Sequence, residues 1–578
     1  MSTPHEIADA AWGLAEPAPR PWRSGPWSLE LRGDELADIR FGGTLVLRMV
    51  RAVARDRDWD TVPAEVSDVT ATDGELRIAL SLHGLGAALD GALVVTAGAD
   101  GALAFDLDLR SGTEFRRNRI GLVVLHPPEV AGEPLTVVSP GGVATQTHFP
   151  TAIAPHQPAK DIAGLRWSHD GIASELAFTG DVFEMEDQRN WTDASFKTYS
   201  TPLDLPFPVT VHAGERIRQR VTLTGRAVAG ATGHPAAAVT EPRTGAVFPA
   251  VQLGASTAPD RHLRPAPDVA ALLVELDLRR PRWRAALARA AREAGSRPLD
   301  VRLVATSPDD VAPAVAAARH HPIARLGVFD ATSHVTEPTL WEALTSAVGA
   351  HDGEITLVGG ARTHFTELNR QHHRLPTDLP ALTFSVTPQM HARERSQIVE
   401  SLAMQRLVAQ DAARIAGGRP VHIGPVTLRP RLNAVATSAS AEPPGDDLAE
   451  GYGPAFLDSA TDPRQRGRAL AAWTVASAAA LCVPGVETVT YFETSGPRGL
   501  GDADREYPVA EAVRLLHGLG RRLVDAPLDP AGVAALVAAD GTHTQVLAAN
   551  VTPEHRSIMT PLGVIDLAPY AVERRCSH

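Results

Sequence analysis

The chain is poor in the residues that mark several common protein classes. Its 578 residues include only two cysteines, Cys482 and Cys576, which lie far apart in sequence. A disulfide framework and a cysteine-based zinc site are therefore excluded. No stretch of about 18 apolar residues occurs, so we expect no membrane-spanning helix. The first residues contain neither the basic nor the apolar segment of a secretion signal, and we expect a cytoplasmic protein.

Charge and motif content exclude further functions. The net charge of -13 argues against a nucleic-acid or anionic-membrane partner. The sequence has no G-x-S-x-G nucleophile motif, no P-loop and no G-x-G-x-x-G motif after a strand. It also lacks H-E-x-x-H or a comparable metal signature. We therefore expect no metal and no other cofactor, and the sequence leaves the oligomeric state open.

Aromatic residues make up only 5% of the chain, yet four of them fall in one short segment. We call residues 183–199 the aromatic–acidic segment, because it combines four aromatic side chains with six charged ones. A solvated loop does not need the aromatics, and a packed core rejects unpaired charges. Two interpretations remain open. The segment lines a polar pocket, with Asn190, Trp191 and Asp193 as candidate ligand-binding residues, or it is a buried ion-pair network that fixes a loop between domains.

Hydrophobic periodicity divides the chain into three parts. Residues 1–240 show short runs of alternating apolar residues, which predict an N-terminal β-sandwich-like domain. The pairs Asp73-Gly74, Asp90-Gly91 and Asp100-Gly101 are typical of its hairpin turns. Residues 226–246 predict a linker, and residues 521–578 predict a small C-terminal β domain.

Residues 246–520 alternate between apolar strands and helices, which predicts a (β/α)8 barrel of the TIM type. The overall fold class is therefore multidomain, α/β plus β. The predicted strands are Ala250–Gly254, Ala271–Leu276, Val301–Ala305, Ala324–Phe329, Ile355–Val358, Leu382–Val386, Val421–Val426 and Val486–Phe492. The predicted helices are Trp283–Ala294, Asp310–Arg319, Thr339–Val348, Arg395–Ile415 and Gln465–Leu481. Residues 437–451 predict a loop over one face of the barrel.

Functional residues of such barrels follow the carboxyl ends of the strands. We identify Glu367 and His391 after strands five and six, and Glu493 after strand eight, as catalytic candidates. The binding candidates that follow the strands are Asn369, Arg429, Arg431 and Asn433. Two guanidinium groups near one strand end are suited to bind a carboxylate or an oxyanion. Each charged candidate has a structural alternative: Glu367 pairs with Arg362 or Arg370, Glu493 pairs with Arg498, and the two arginines neutralise the aromatic–acidic segment.

Several motifs occur together in the order found in one known family. They are EDQRNWTDASFKTY (186–199), GGARTHFTELNR (359–370), SVTPQMHA (385–392), GPVTLRPRLN (424–433), DPRQ (462–465) with AAWT (471–474), and TYFETSG (490–496). On these residues the chain resembles the D-apionate lactonase family over nearly its whole length. The resemblance implies hydrolysis of a five-membered sugar-acid lactone, D-apionolactone, in the catabolism of the branched pentose apiose. A small-molecule sugar lactone is therefore the expected partner.

Lactone hydrolysis needs a base that activates water and a positive group that stabilises the oxyanion. We assign the role of the base to Glu367 or His391, and the binding of the oxyanion and of the product carboxylate to Arg429 and Arg431. The alternative is a glycoside hydrolase that uses Glu367 and Glu493 as its carboxylate pair. Related barrels place such carboxylates after strands four and seven, whereas strand seven here is followed by arginines. A non-catalytic sugar-binding protein is the third interpretation.

Overall fold

The structure is a computed structural model that describes residues 12, 18–99, 101–228, 246–258, 266–349, 355–432, 434, 461–529, 532–540 and 543–577. Most of the predicted linker (226–246), the predicted loop (437–451) and the candidate Asn433 lie outside the described residues. Within the described part, no helix is both long and apolar enough to cross a membrane.

The N-terminal part is built of antiparallel strands, as the alternating pattern predicts. Its strands are β1 (Arg20–Ser24), β2 (Trp27–Arg32), β3 (Glu35–Phe41), β4 (Thr44–Asp56), β5 (Ala64–Ala71), β6 (Glu75–Gly84), β7 (Ala87–Ala97), β8 (Leu103–Ser111), β9 (Phe115–His126), β10 (Pro134–Val138), β11 (Ala144–His148), β12 (Ala159–Ile162), β13 (Gly164–His169), β14 (Ile172–Thr179), β15 (Phe183–Asp187), β16 (Phe196–Tyr199), β17 (Val209–Val211) and β18 (Arg216–Ala227).

These strands form two nine-stranded sheets that share one apolar core. The first sheet has the order β1-β2-β3-β4-β9-β16-β15-β12, with β17 also paired to β9. The second has the order β11-β10-β13-β14-β18-β8-β7-β6-β5. In β2 every second residue is buried, so one face of the strand packs inward while the other remains partly exposed.

One predicted hairpin turn is wrong. Asp90 and Gly91 lie inside β7, paired with β6 and β8, and the turn between β6 and β7 falls at Gly84–Gly86. Gly91 is needed in the strand because an added Cβ would lie 1.9 Å from the carbonyl oxygen of Asp108 on β8. An Asp-Gly pair in a long strand can therefore reflect close backbone packing instead of a turn.

The central part is a closed barrel of eight parallel strands. After a short strand β19 (Ala246–Val247), the barrel strands are β20 (Ala250–Gly254), β21 (Leu272–Asp277), β22 (Leu299–Ala305), β23 (Ile323–Asp330), β24 (Thr356–His364), β25 (Leu382–Val386), β26 (Val421–Val426) and β27 (Val486–Glu493). The helices of the described residues are α1 (Trp283–Ala294), α2 (Val311–Ala318), α3 (Pro338–Val348), α4 (Phe365–Gln371), α5 (Arg395–Ala416), α6 (Arg468–Leu481) and α7 (Val509–Gly518). The 3-10 turns in the same ranges are Pro128–Val130, Gln188–Trp191, Pro308–Asp310, His372–Arg374 and Pro463–Arg466.

The predicted barrel is confirmed, with one correction at its fifth strand. That strand was expected to end at Val358, but β24 runs on to His364 and is followed at once by helix α4. The strand can continue because Gly360 adopts φ +127° and approaches Thr383 of β25, where a Cβ would lie 2.5 Å from a carbonyl oxygen. Glu367 and Asn369 consequently lie on a helix and not on a loop.

The C-terminal part is a small antiparallel sheet, as predicted. Its strands are β28 (Leu523–Asp525), β29 (Leu528–Asp529), β30 (Val533–Asp540), β31 (His543–Asn550) and β34 (Val572–Cys576), and a separate hairpin consists of β32 (Arg556–Thr560) and β33 (Gly563–Leu567). Strand β19, which precedes the barrel in sequence, pairs with β28 at the edge of this sheet. Leu536 and Leu547 of the sheet belong to the same apolar core as the barrel. The sheet is thus packed on the barrel and shares its core.

Candidate active site between the N-terminal sheet and the barrel

The part of the aromatic–acidic segment that lies in the N-terminal sheet is buried and structural. Strands β15 and β16 pair with each other, and the 3-10 turn Gln188–Trp191 connects them. Arg189 forms a buried salt bridge of 2.7 Å to Asp187 and donates to the carbonyl oxygen of Pro150 at 2.7 Å. This is the ion-pair network that one interpretation of the sequence predicted.

The tip of the same segment contacts the carboxyl end of the barrel. The hydroxyl of Thr192 donates to the carbonyl oxygen of Thr387, which follows β25, at 2.6 Å. The amide of Asn369 donates to the side-chain oxygen of Asn190 at 2.9 Å, and Thr366 donates to the backbone oxygen of Asn190 at 2.9 Å. The candidates Asn190 and Asn369 are thus bonded to each other across the domain boundary, and the segment reaches the barrel mouth.

The two parts meet at an aspartate–histidine pair. Nδ1 of His391, after the sixth barrel strand, lies 2.6 Å from a carboxylate oxygen of Asp193. A carboxylate can only accept, so Nδ1 carries the proton and Nε2 presents a lone pair. Burial lowers the pKa of His391, and the charge of Asp193 partly opposes this effect. Among the described residues, no protein group hydrogen-bonds Nε2 of His391, whose side chain is 18% exposed.

Trp191 forms a wall beside this pair. Its ring contacts His391 edge-on with centroids 5.9 Å apart, and it contacts His364 at the end of β24 at the same separation. Its Nε1 donates to Glu186 at 3.1 Å, which fixes the ring. Burial lowers the pKa of His364 to about 3, so this imidazole is neutral at neutral pH.

Glu186 and Lys197 form a second charged pair next to the histidine. Their side chains lie 2.5 Å apart on the paired strands β15 and β16. Burial alone would raise the pKa of Glu186, but Lys197, His391 and Arg370 lower it below its usual range. The pKa of Lys197 is lowered, chiefly by burial. Glu186 therefore remains a carboxylate that Lys197 neutralises.

Glu367 has the contacts of a helix-capping residue. Its carboxylate accepts from the hydroxyl of Thr363 at 2.7 Å and from the backbone N–H of His364 at 3.1 Å, completing a capping box at the start of α4. Burial raises its pKa. It forms no salt bridge with Arg362 or Arg370, although the sequence suggested one as the alternative to a catalytic role. The catalytic role of Glu367 stays a prediction, and these contacts favour a structural one.

Arg431 belongs to a partly buried cluster at the barrel mouth. Its guanidinium lies 3.5 Å from Glu275 of β21 and donates to the carbonyl oxygen of Arg362 at 2.9 Å. Arg362 itself is hydrogen-bonded to Glu275 and lies 3.2 Å from Nδ1 of His334. Two arginines thus share one carboxylate, which leaves the cluster with a positive charge. The charge of Arg431 contributes to the lowered pKa of His364, which links this cluster to the histidines.

The remaining charged candidates have other partners. Arg429 lies 3.6 Å from Asp462, so the two arginines after strand seven do not share a carboxylate. Glu493, at the end of β27, accepts from the backbone N–H and the hydroxyl of Thr257 at 3.0 and 2.9 Å and lies 2.5 Å from Arg498. The salt bridge to Arg498 is the structural alternative that the sequence suggested for Glu493.

Two groups of residues at this site were not predicted. Glu275 is a partly buried carboxylate that interrupts the apolar residues of the strand LLVELD, and this interruption is the signal that could have identified it. Arg55 of β4 and Arg119 of β9 border the cavity next to His391. Nothing in their local sequence distinguishes them from surface arginines of a sheet. Among the described residues, no group of three or more His, Cys, Asp or Glu side chains is arranged to hold a metal ion.

Comparisons with known proteins agree over nearly the full chain. Residues 7–228 match the family model described as D-apionate lactonase, N-terminal domain, and residues 244–521 match D-apionate lactonase, TIM barrel domain. A D-apionate lactonase from Brucella anthropi is 27% identical, in an alignment that covers 96% of this chain and 97% of that protein.

Solved structures with similar folds include several carbohydrate-active proteins. A β-arabinopyranosidase shares 10% identity, with a TM-score of 0.29, over 96% of this chain and 98% of its own. A GH30 endoxylanase from Clostridium papyrosolvens shares 8% identity, with a TM-score of 0.34, over 54% of this chain and 84% of its own. An aldose epimerase homologue from C. elegans shares 10% identity, with a TM-score of 0.28, over 37% of this chain and all of its own.

Proposed function

Because the chain belongs to the D-apionate lactonase family, we propose that it hydrolyses D-apionolactone to D-apionate, with His391 as the general base. The observation that supports this assignment is the 2.6 Å contact between His391 Nδ1 and Asp193. This contact joins the N-terminal domain to the barrel. It also leaves Nε2 of the neutral imidazole directed away from the Asp193 carboxylate, with a lone pair that can accept a proton. A partly buried, oriented imidazole of lowered pKa suits proton abstraction from water near neutral pH.

The reaction then follows in two steps. Nε2 of His391 removes a proton from a water molecule as its oxygen attacks the lactone carbonyl carbon, forming a tetrahedral oxyanion. The oxyanion collapses, the bond to the ring oxygen breaks, and the imidazolium returns its proton to that oxygen. The product is a hydroxy acid, which releases a proton at neutral pH. Asp193 stabilises the imidazolium between the steps and holds the ring in position.

Positive charge near the histidine supports the same chemistry. The Glu275–Arg362–Arg431 cluster has one positive charge in excess and lies close enough to lower the pKa of His364. In a buried site such a charge favours an oxyanion more than it would in water. We assign Arg431 this role, and Trp191 the role of a wall for the sugar ring. The proposed pathway is the catabolism of apiose.

The carboxylate positions are less favourable to a glycoside hydrolase. The barrel has the predicted eight strands, and its strand seven is followed by TLRPRLN, which contains no carboxylate. Asp330, at the end of strand four, accepts from the backbone N–H groups of Thr332 and Ser333 at 2.8 and 2.7 Å and so closes a turn. Glu367 and Glu493 are each held by neighbours of their own chain segment or of the adjoining strand.

The test is proton release in weak buffer. D-apionolactone and a panel of other aldonolactones are compared with aryl glycosides, using the wild-type protein and His391→Asn. We expect acid release from D-apionolactone above the spontaneous rate, and a loss of about two orders of magnitude or more in the variant. His83→Asn is the matched control, because His83 lies 3.0 Å from Asp90 in a second, exposed histidine–aspartate pair.

The outcomes separate the alternatives. Cleavage of an aryl glycoside without acid release from any lactone would refute the proposal and favour Glu367 and Glu493 as the reacting pair. Full lactonase activity in His391→Asn would retain the function but remove His391 from the mechanism.

A further inference from the structure

A cavity extends from His391 across the first sheet of the N-terminal domain. Its walls include Arg55 on β4, Trp59 after that strand, Arg119 on β9 and Tyr199 on β16. Asp193 and Lys197 also border it. The cavity therefore connects the proposed base to a surface supplied mainly by the N-terminal domain, with Ala392 and Gln397 of the barrel at its edge.

The cavity contains more positive charge than its carboxylates neutralise. Lys197 is paired with Glu186 at 2.5 Å, and Arg51, a further lining residue, is paired with Asp34 at 2.8 Å. In the described part of the chain, Arg55 has no carboxylate within 4.0 Å, and its guanidinium donates to the carbonyl oxygen of Trp59 at 2.7 Å.

Arg119 is the second cation without a carboxylate partner in the described ranges. Its Nη1 donates to the backbone and side-chain oxygens of Asn118, each at 2.9 Å. Its guanidinium stacks on Trp59 and Phe207, with distances to the ring centroids of 5.1 and 5.2 Å. Arg119 is only 5% exposed, and its Nε is a buried donor without an acceptor. Buried donors and unpaired charges are costly, so such a group calls for an anionic ligand.

Arg55 is electrostatically coupled to the reacting groups. Burial is the main cause of the lowered pKa of His391, and the charges of Lys197 and Arg55 add to it. The charges of Glu186 and Asp193 act in turn on Arg55. A planar guanidinium with several donors matches the two oxygens of a carboxylate. In lactone hydrolysis, the carbon attacked by water becomes such a carboxylate.

We propose that Arg55, with Arg119 as the second unpaired cation, forms an anionic subsite that binds the carboxylate of the sugar acid at the N-terminal wall of the active site. This inference rests on the proposed function for the identity of the ligand. The N-terminal sheet then contributes the group that recognises the product, while the barrel contributes the base. The subsite also predicts that a sugar acid binds more tightly than the uncharged sugar alcohol of the same skeleton.

The test is calorimetric binding, which needs no turnover. D-apionate and the corresponding uncharged alditol are titrated into the wild-type protein, Arg55→Gln and Arg119→Gln. We expect Arg55→Gln to weaken D-apionate binding about tenfold or more, with alditol binding unchanged within about twofold. Arg220→Gln is the matched control, because Arg220 forms an exposed salt bridge with Asp106 on the other sheet of the same domain. It should bind D-apionate like the wild type.

Arg55→Lys covers the case in which Arg55→Gln does not fold. Lysine keeps the charge but loses the planar pair of donors, so we expect an intermediate loss of affinity for D-apionate. Two results would overturn the subsite. One is an unchanged affinity for D-apionate in the folded Arg55 variants. The other is an equal affinity of the wild type for D-apionate and the alditol. Binding through Arg55 without any lactone hydrolysis would retain the subsite and refute the proposed function. Lactone hydrolysis by the wild type, with unaltered D-apionate affinity in Arg55→Gln, would retain the proposed function and refute the subsite.

Discussion

Replacing Asp193 by Asn tests whether the interdomain hydrogen bond is part of the mechanism. The substitution keeps the shape of the side chain but removes its charge. An asparagine amide can donate to Nδ1 of His391, which would place the imidazole proton on Nε2 and block the base. If it accepts instead, the imidazolium loses the carboxylate that stabilises it. Both effects oppose proton abstraction without removing the histidine.

The magnitude follows from the contact that is lost. A hydrogen bond to a charged group contributes about 1.5–3 kcal/mol, which corresponds to roughly 10- to 150-fold in rate if it acts fully in the transition state. The unfavourable tautomer adds to this loss, so we expect kcat to fall between about 10²- and 10⁴-fold. KM should change little, because the Asp193–His391 contact does not bind the substrate directly.

The pH profile supplies a second readout. Activity requires neutral His391, so it is lost as the pH falls through the pKa of this residue. Burial already lowers that pKa below its usual value, and the charge of Asp193 raises it. Asp193→Asn should therefore shift the acidic limb of the kcat profile to lower pH.

The assay is proton release over a pH series, with thermal unfolding measured in parallel. Asp106→Asn is a suitable control, because Asp106 is an exposed carboxylate paired with Arg220 in the same domain. A variant of Asp193 with wild-type kcat and an unshifted acidic limb would show that the contact only holds the domains together. A fall in melting temperature without a change in kcat would lead to the same conclusion.

Three further predictions concern other carboxylates. Glu367→Gln keeps an oxygen that can accept the capping hydrogen bonds, so we expect kcat within about tenfold of wild type. The weaker acceptor should lower the melting temperature by about 2–4 °C. A loss of two orders of magnitude in kcat would instead identify Glu367 as the base. Asp187→Ala leaves buried Arg189 without its carboxylate and should destabilise the protein by about 3–5 kcal/mol in denaturant unfolding. A loss below about 1 kcal/mol would show that the backbone carbonyl partners of Arg189 suffice. Burial raises the pKa of Glu293 to about 7, so the folded state loses stability as the pH rises through that value and the carboxyl group ionises. Glu293→Gln should therefore reduce the fall in melting temperature between pH 5 and pH 8. An unchanged fall in the variant would refute this assignment.

The strands and helices of the barrel could be predicted because their apolar periodicity is strong. All eight strands were located, and helix α1 begins and ends at the predicted residues, Trp283 and Ala294. The error at the fifth strand arose because Gly359-Gly360 indicates a turn in sequence, whereas the structure uses Gly360 where two strands approach closely. Local patterns do not distinguish a glycine needed for a bend from one needed for a close contact.

The candidate site was predicted only in part, because its contacts depend on the relative placement of two domains. The composition of residues 183–199 indicated a site, and the strand-end rule indicated His391, but nothing in the sequence indicated that Asp193 would be its partner 198 positions away. The same limit applies to Arg55, which lies on a strand of ordinary alternating pattern. Pairing between domains has no local periodicity, so only the folded arrangement reveals it.

The division of labour between the two domains follows from the chemistry of the proposed reaction. The carboxyl end of the barrel places His391 and the Arg431 cluster at one mouth. Asp193 and Trp191 of the N-terminal domain hold the imidazole of His391 in one tautomer and one orientation. Arg55 of the same domain supplies the anion-binding wall. A substitution that weakens the interface between Asn190 and Asn369 should therefore lower kcat without touching the substrate. The N-terminal sheet is in this view part of the active site and not an accessory to the barrel.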